Sequence, residues 1–261
     1  MNGSLQDRIA LVTGAGRGIG EAIALAFARE GADLVLAARS RAELDTVAAA
    51  VRALGRRALV VPTDMGERDQ VLGLADRALA EYGHIDILVS NAAAGGMAGP
   101  LREVAAETWR QVQRTNVENP LALVQALLPQ MIARQAGAII FVASIQALKG
   151  QLMSGTYAAS KAAVVNMTQS LACELGPFGV RVNAIGPGPV DTRMIRDAVG
   201  DDAGILGALG SLAPMPGWTQ AEDCAGPAVF LASDAARRIT GQMLVVDGGL
   251  TALSPENFLA L

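Results

Sequence analysis

Short apolar runs alternate with helical segments along this chain, and that alternation limits its fold more than any other feature. The runs Ile9–Thr13, Asp33–Ala38, Ala58–Pro62, Ile85–Ser90, Ala138–Ala143, Val180–Ile185 and Met243–Val246 read as strands. Between them the spacing predicts helices near Gly18–Glu30, Arg41–Leu54, Glu67–Tyr82, Glu107–Ala133, Thr156–Leu175 and Gln220–Leu231. Strand, helix and strand in succession place neighbouring strands parallel, with the helices as crossovers. The expected architecture is α/β: a single-domain, doubly wound, seven-stranded parallel sheet with helices on both faces. A chain of 261 residues suits one such domain, and 51% hydrophobic residues suffice to cover both faces of the sheet. No linker or repeat divides it.

The first strand runs into a glycine-rich turn, Thr13-Gly14-Ala-Gly-Arg17-Gly18-Ile19-Gly20, and then into a helix. In that setting backbone N–H groups and a helix N-terminus can cradle a pyrophosphate. The spacing is not the Gly-x-Gly-x-x-Gly dinucleotide fingerprint, because position 19 is Ile. It is not a Walker loop either, because no Gly-Lys-Ser/Thr follows. A turn that binds nothing is the alternative, and the flanking strand and helix argue against it. A dinucleotide site carries an acid about 20 residues further on, for the ribose 2′-hydroxyl. Here the second strand ends Ala38-Arg39-Ser40-Arg41 instead. A guanidinium fork suits a 2′-phosphate, so Arg39, with Arg17 in the turn, points to NADP(H) in preference to NAD(H). Solvated loop arginines are the competing reading.

Tyr157 and Lys161 stand four residues apart in a proline-free run rich in helix formers, with Ser144 thirteen residues upstream of the tyrosine. Four-residue spacing puts phenol and ammonium on one helix face. An adjacent cation is expected to lower the phenol pKa from about 10, making Tyr157 a candidate general acid/base.

Together these pieces resemble the short-chain dehydrogenase/reductase family, nearly end to end. The glycine turn matches that family's cofactor loop, and Asp64 matches an acid that hydrogen-bonds adenine. Ser90-Asn91-Ala92-Ala93 resembles the Asn-Asn-Ala-Gly motif, with Ser90 and Ala93 as departures. Asn116, Ser144, Tyr157 and Lys161 match the catalytic residues in type, order and spacing, and Ile185–Thr192 matches the loop that closes over the nicotinamide. The resemblance implies a Rossmann-like fold with a cofactor half over about 1–135 and a catalytic half over about 136–261. It implies cofactor contacts from Gly14, Arg17, Gly18, Ile19, Gly20, Arg39, Asp64, Met65, Asn91, Ala92, Tyr157, Lys161, Pro187, Gly188, Val190 and Thr192. The implied reaction interconverts a carbonyl and a secondary alcohol: Ser144 holds the substrate oxygen, Tyr157 exchanges its proton, Lys161 tunes the tyrosine and holds the nicotinamide ribose. Asn116 is expected to fix a water that links Lys161 to solvent. The resemblance also implies a homotetramer or dimer, for which Leu121–Leu128 and the C-terminal Leu250–Leu261 segment are candidate contacts; core packing is the alternative for the former.

Net charge is −4 with no basic stripe, which argues against nucleic-acid binding. No apolar run approaches the ~20 residues of a membrane helix and the N-terminus has no signal-type core, so a cytoplasmic location is expected. Cys173 and Cys224 form no disulfide or zinc pattern and both read as buried thiols. No metal is expected, and the lone His84 is far from the catalytic motifs.

The substrate is expected to meet loops bearing Met97, Leu148, Leu152, Met153, Met194, Ile195, Leu206, Met215 and Trp218, with Gln146, Gln151 and Arg193 as polar candidates. Lining an apolar pocket and packing a lid onto the sheet are equal readings of these residues. Asp191–Gly217 reads as a mobile lid. One rival activity is 3-oxoacyl-(acyl-carrier-protein) reduction, which a basic patch from Arg102, Arg110 and Arg134 would support. The other rival is a non-catalytic cofactor-binding protein, disfavoured because Ser144, Tyr157 and Lys161 are all kept.

Overall fold

The computed structural model describes residues 3–95, 99–193, 195–196, 200 and 202–254. Its sheet has seven strands: β1 (Ile9–Thr13), β2 (Asp33–Ala38), β3 (Ala58–Pro62), β4 (Ile87–Ser90), β5 (Gly137–Val142), β6 (Val180–Pro187) and β7 (Met243–Val246). They lie in the order β3-β2-β1-β4-β5-β6-β7, every pair parallel. The chain winds outward from β1 to β3, then returns across the sheet to β4. That reversal opens a crevice between the carboxyl ends of β1 and β4.

Helices α1 (Gly18–Arg29), α2 (Arg41–Ala53) and α8 (Ala225–Ala232) cover one face; α3 (Arg68–Tyr82), α5 (Asn119–Arg134) and α6 (Gly155–Leu175) cover the other. Alternation along each strand divides the core between them. Leu11, Val35, Leu88, Ile139 and Val182 pack under α3, α5 and α6, whereas Val12, Leu34, Leu36, Ile140 and Ile185 pack under α1, α2 and α8.

The single helix expected over 107–133 is interrupted. α4 (Ala106–Gln113) passes through a π-turn at Arg114–Glu118 before α5 begins. Pro120, at the start of α5, has no N–H for an α-helical ladder, and Asn119 donates five residues back to the Arg114 carbonyl instead. The start expected for the last helix is a 3₁₀ turn, Ala221–Cys224, closed by a capping box between Gln220 and Asp223. Within the expected lid lies α7 (Ala203–Gly210), whose N-terminus is capped by the Asp202 carboxylate. Its three glycines and absence of polar periodicity concealed it in the sequence. β4 begins two residues later than expected, although Ile85 is fully buried.

At the sheet's amino rim, buried Asp86 gathers its neighbours. It accepts from the Ile9 amide at 2.8 Å and from Arg134, with His84 Nε2 at 3.4 Å and Arg8 at 4.0 Å. His84 is thus placed at the end of the molecule away from the crevice. Of the two cysteines, Cys224 is buried, and burial pushes its thiol up to about 12, but Cys173 is exposed. α6 buries Leu171, Ala172 and Leu175, which turns Cys173 outward beside Glu174. Much of the Leu121–Leu128 stretch is core, through Ala122, Leu123, Val124 and Leu127. Met97, Met194 and the end of the C-terminal segment lie outside the described residues. No helix among the described residues is long and apolar enough to cross a membrane.

Candidate active site

The carboxyl ends of β1, β2, β4, β5 and β6 open into one crevice of about 1260 Å³. Gly14, Arg17, Gly18, Ile19, Arg39, Asp64, Met65, Asn91, Ala92, Ser144, Tyr157, Lys161, Pro187, Gly188, Val190 and Thr192 all line it. Gly20 and Asn116, also expected at the site, stand behind its wall.

One end is a backbone cradle. Gly14 and Gly18 adopt left-handed φ of 66° and 58°, which an L side chain rarely tolerates. A β-carbon at Gly20 would come within 2.2 Å of the Gly14 carbonyl oxygen, so α1 can approach the turn only as glycine. Arg17 precedes α1 without a side-chain cap, leaving first-turn N–H groups available to an anion. Thr13 and Asn91 brace this cradle from β1 and β4. The Thr13 hydroxyl accepts from the amides of Asn91 and Ala92 at 3.0 and 3.1 Å. The Asn91 side-chain amide donates to the Thr13 and Gly14 carbonyls at 3.0 and 3.2 Å. Asn91 therefore acts on the turn from behind. A bare, braced turn on an uncapped helix fits the pyrophosphate of a dinucleotide.

Further along the crevice, one carboxylate oxygen of Asp64 accepts from the Gly66 amide at 2.8 Å. Met65 is a core residue whose carbonyl accepts from Asn119 at 2.8 Å. Arg39 is exposed at the rim. Arg17 pairs with Glu43 at 3.0 Å. Thr192 reaches across to Gly18, where an added β-carbon would meet its methyl at 3.4 Å.

At the other end stand Ser144, Tyr157 and Lys161. Ser144 follows β5 in an extended conformation, and its hydroxyl accepts from the Gln146 amide at 3.1 Å. It also hydrogen-bonds the Tyr157 phenol. Lys161 is buried, donates to the Val142 carbonyl at 2.7 Å, and holds its Nζ 5.5 Å from the Tyr157 ring centroid. Burial, opposed by the Ser144 hydrogen bond, pushes the Tyr157 phenol up to about 12. Burial also lowers the Lys161 ammonium to about 8. This reverses the expectation that the lysine charge lowers the tyrosine: desolvation outweighs it here, and Lys161 is engaged by a carbonyl. The phenol is protonated at neutral pH, ready to donate.

Gly95, with φ of 149°, presses on the tyrosine; a β-carbon there would lie 2.3 Å from Tyr157 Cδ2. Asn116, in the π-turn, spends its whole side chain on structure. Its oxygen accepts from the Ala94 amide at 2.8 Å, and its amide donates to the Ala94 carbonyl at 2.7 Å and Ser160 Oγ at 2.9 Å.

Of the expected substrate residues, Leu152, Ile195, Gln146, Gln151 and Arg193 line the crevice, joined by Ile145, Leu209, Leu212 and Leu250. Leu148, Met153, Leu206, Met215 and Trp218 do not; Trp218 packs against Gly210. Sequence reasoning missed Glu43 and the bracing role of Thr13. Ser40-Arg-Ala-Glu43 carries a capping-box spacing that would have drawn attention to Glu43.

A family model described as enoyl-(acyl carrier protein) reductase matches residues 14–251. Among curated proteins, cis-4-hydroxycyclohexanecarboxylate dehydrogenase of Sinomonas cyclohexanicum is 39% identical, over 97% of this chain and 100% of its own. A crystal structure of gluconate 5-dehydrogenase from Burkholderia cenocepacia, in complex with NADP and tartrate, superposes with a TM-score of 0.89 at 35% identity, covering 97% of this chain and 99% of that one. Carveol dehydrogenase from Mycobacterium avium, in complex with NAD, superposes with a TM-score of 0.90 at 27% identity, covering 96% and 100%. Motif order, sheet topology and these likenesses agree: the chain belongs to the short-chain dehydrogenase/reductase family and is an NAD(P)-dependent oxidoreductase.

Proposed function

We propose that this protein interconverts a carbonyl and a secondary alcohol, with NADP(H) preferred over NAD(H), on a substrate that is uncharged and apolar around the reacting carbon. The observation that carries this reading is the hydrogen-bonded Ser144–Tyr157 pair, backed by buried Lys161, in the same crevice as the braced glycine cradle. The nicotinamide cofactor, when bound, supplies or accepts the hydride. Gly14, Gly18, Ile19 and Thr192 would hold its pyrophosphate region, Asp64 and Met65 its adenine side, and Pro187, Gly188 and Val190 its nicotinamide side. Ser144 and Tyr157 both donate to the substrate oxygen, where negative charge builds in the transition state. Tyr157 then gives up its proton to that oxygen, or takes one in the alcohol direction. Lys161 faces the phenol from the protein interior and stabilises the phenolate left behind. Asn116 fixes Ala94 and Ser160, and so the floor on which Tyr157 stands.

The NADP(H) preference is supported by Arg39 and Arg17 at the crevice rim; the two structural relatives named above carry NADP in one case and NAD in the other. The apolar substrate is supported by Ile145, Leu152, Ile195, Leu209 and Leu212, beside uncharged Gln146, Gln151 and Ser154. Two of the nearby cations are engaged, Arg193 with Glu43 and Arg196 with Asp191. The carrier-protein alternative, also represented among the relatives of this chain, draws less support from its three arginines, because Arg102 pairs with Glu103, Arg110 with Glu107, and Arg134 with Asp86 at the opposite rim. We place the protein in the cytoplasm as a homotetramer or homodimer. Exposed Leu244 on edge strand β7 and exposed Phe230 on α8 support an assembly.

The test follows nicotinamide absorbance with NADPH and NADH against cyclic and aliphatic ketones, quinones, a β-ketoacyl thioester and keto-polyhydroxy acids. Turnover confined to the apolar ketones, faster with NADPH, is the expected result. Turnover of the acids alone would overturn the apolar assignment, and none with any substrate in either direction would overturn the enzymatic reading.

A further inference from the structure

We propose that Glu43 discriminates between the two nicotinamide cofactors, acting as the ribose acid that the end of β2 lacks. The proposal rests on the reading that the crevice holds a dinucleotide with its adenosine ribose beside Arg39. The second strand ends in Arg39, and no carboxylate follows directly. The fold nevertheless delivers one from the first turn of α2. Ser40 caps that helix, its hydroxyl accepting from the Glu43 amide at 3.3 Å. The Glu43 side chain lies back toward the glycine turn. A β-carbon added at Gly16 would lie 3.1 Å from Glu43 Cβ and 3.2 Å from its Oε2. The carboxylate thus lies against the turn, inside the lining of the crevice.

Two arginines share it. Arg17, from the glycine turn, donates to Oε1 at 3.0 Å, and Arg193, from the loop after β6, reaches the same oxygen at 3.5 Å. Arg39 lines the same end of the crevice with no acidic partner among the described residues. One carboxylate therefore carries two guanidinium groups, and Arg39 lines the crevice with it, where the 2′ substituent is expected.

The two cofactors differ there by a neutral hydroxyl against a phosphate of nearly two negative charges. A 2′-hydroxyl can donate to Glu43, which meanwhile keeps Arg17 neutralised. A 2′-phosphate binds Arg39 and draws Arg17 away from Glu43, which is then left facing a like charge. Glu43 thus favours NAD(H) while the arginines favour NADP(H). Its presence narrows the gap, and the site admits both cofactors.

The experiment is fluorescence titration of wild type, Glu43→Gln and Glu43→Ala with NADH and with NADPH. Neutralising Glu43 should tighten NADPH and weaken NADH, moving the ratio of their Kd values about tenfold toward NADPH, which corresponds to about 1.4 kcal/mol. A ratio unchanged within about twofold in E43Q, or moved toward NADH, would overturn the proposal. So would a shift in E43A alone, because that would assign the effect to packing and not to charge. The underlying reading is judged separately by the wild-type protein. Failure to bind either cofactor refutes the dinucleotide site, and a plain NADH preference refutes the role given to Arg39. Neither result depends on how the ratio moves in the variants.

Discussion

Lys161 and Tyr157 share one face of α6, but the ammonium is turned past the ring to the Val142 carbonyl, 2.7 Å away at the end of β5. The lysine is therefore anchored to the sheet with its Nζ 5.5 Å from the tyrosine ring centroid, while Ser144 engages the phenol. The two residues are perturbed in opposite senses by the same burial, and each can be tested by itself.

Replacing the phenol tests the proton donor. Tyr157→Phe should lower kcat about 10³-fold, within the range of a positioned acid/base, and leave cofactor Kd within about twofold. Because the phenol lies at about 12, alcohol oxidation by the wild type should climb with pH by roughly tenfold per unit and show no plateau below about pH 9. Carbonyl reduction, which uses the protonated form, should lack that climb. A plateau in oxidation near neutrality would show that the phenol ionises far more easily than burial alone allows.

Lys161 should cost the fold stability while serving the reaction. Its folded value of about 8 lies below the ordinary 10.5, so the native state holds that proton less tightly than the unfolded chain does. Unfolding then takes up protons between those values, and wild-type stability rises with pH across that window. Lys161→Met should be about 1–2 kcal/mol more stable than wild type at pH 6.5, after loss of the Val142 bond is counted, and the gain should vanish near pH 10. Urea denaturation at the two pH values measures the difference; an equal gain at both would remove lysine ionisation as its cause.

Asn116→Ala removes three hydrogen bonds from a buried site and strands the Ala94 peptide groups. A loss of about 2–4 kcal/mol in denaturant is expected, with turnover falling as Tyr157 loses its floor. Near-native stability would mean that water replaces these bonds.

Gly20→Ala sets a methyl against the Gly14 carbonyl at 2.2 Å, a contact only backbone movement relieves. Cofactor Kd should rise at least about tenfold while the circular dichroism spectrum is retained. Unchanged affinity would show that the turn is not the pyrophosphate cradle.

The strands were legible because parallel strands buried on both faces are written as short apolar runs, and each of the seven appears in place. The π-turn before Asn119 was not, since local composition there is helical and only Pro120 marks the change of winding. Ser144, Tyr157 and Lys161 could be read because their chemistry is tied to fixed spacing on one helix and one strand end. Glu43 could not, because its importance arises from contact with residues 26 and 150 positions away. The sign of the tyrosine shift was likewise hidden: charge neighbours show in a sequence, but the depth of burial that outweighs them belongs to the assembled fold. Cys173 failed for a related reason, since α6 is apolar over much of its surface and the sequence does not mark which side meets the sheet.

The Asp86 cluster sits on the rim where strands begin, and the crevice on the rim where they end. An immobilisation tether, a fluorescent label or a fused partner attached near Arg8 or His84 would therefore leave the mouth unobstructed, with the whole length of the strands between the attachment and the chemistry. The same geometry gives a protein engineer two separate surfaces: variants selected for activity at one rim need not disturb the ion pairs that fasten the other.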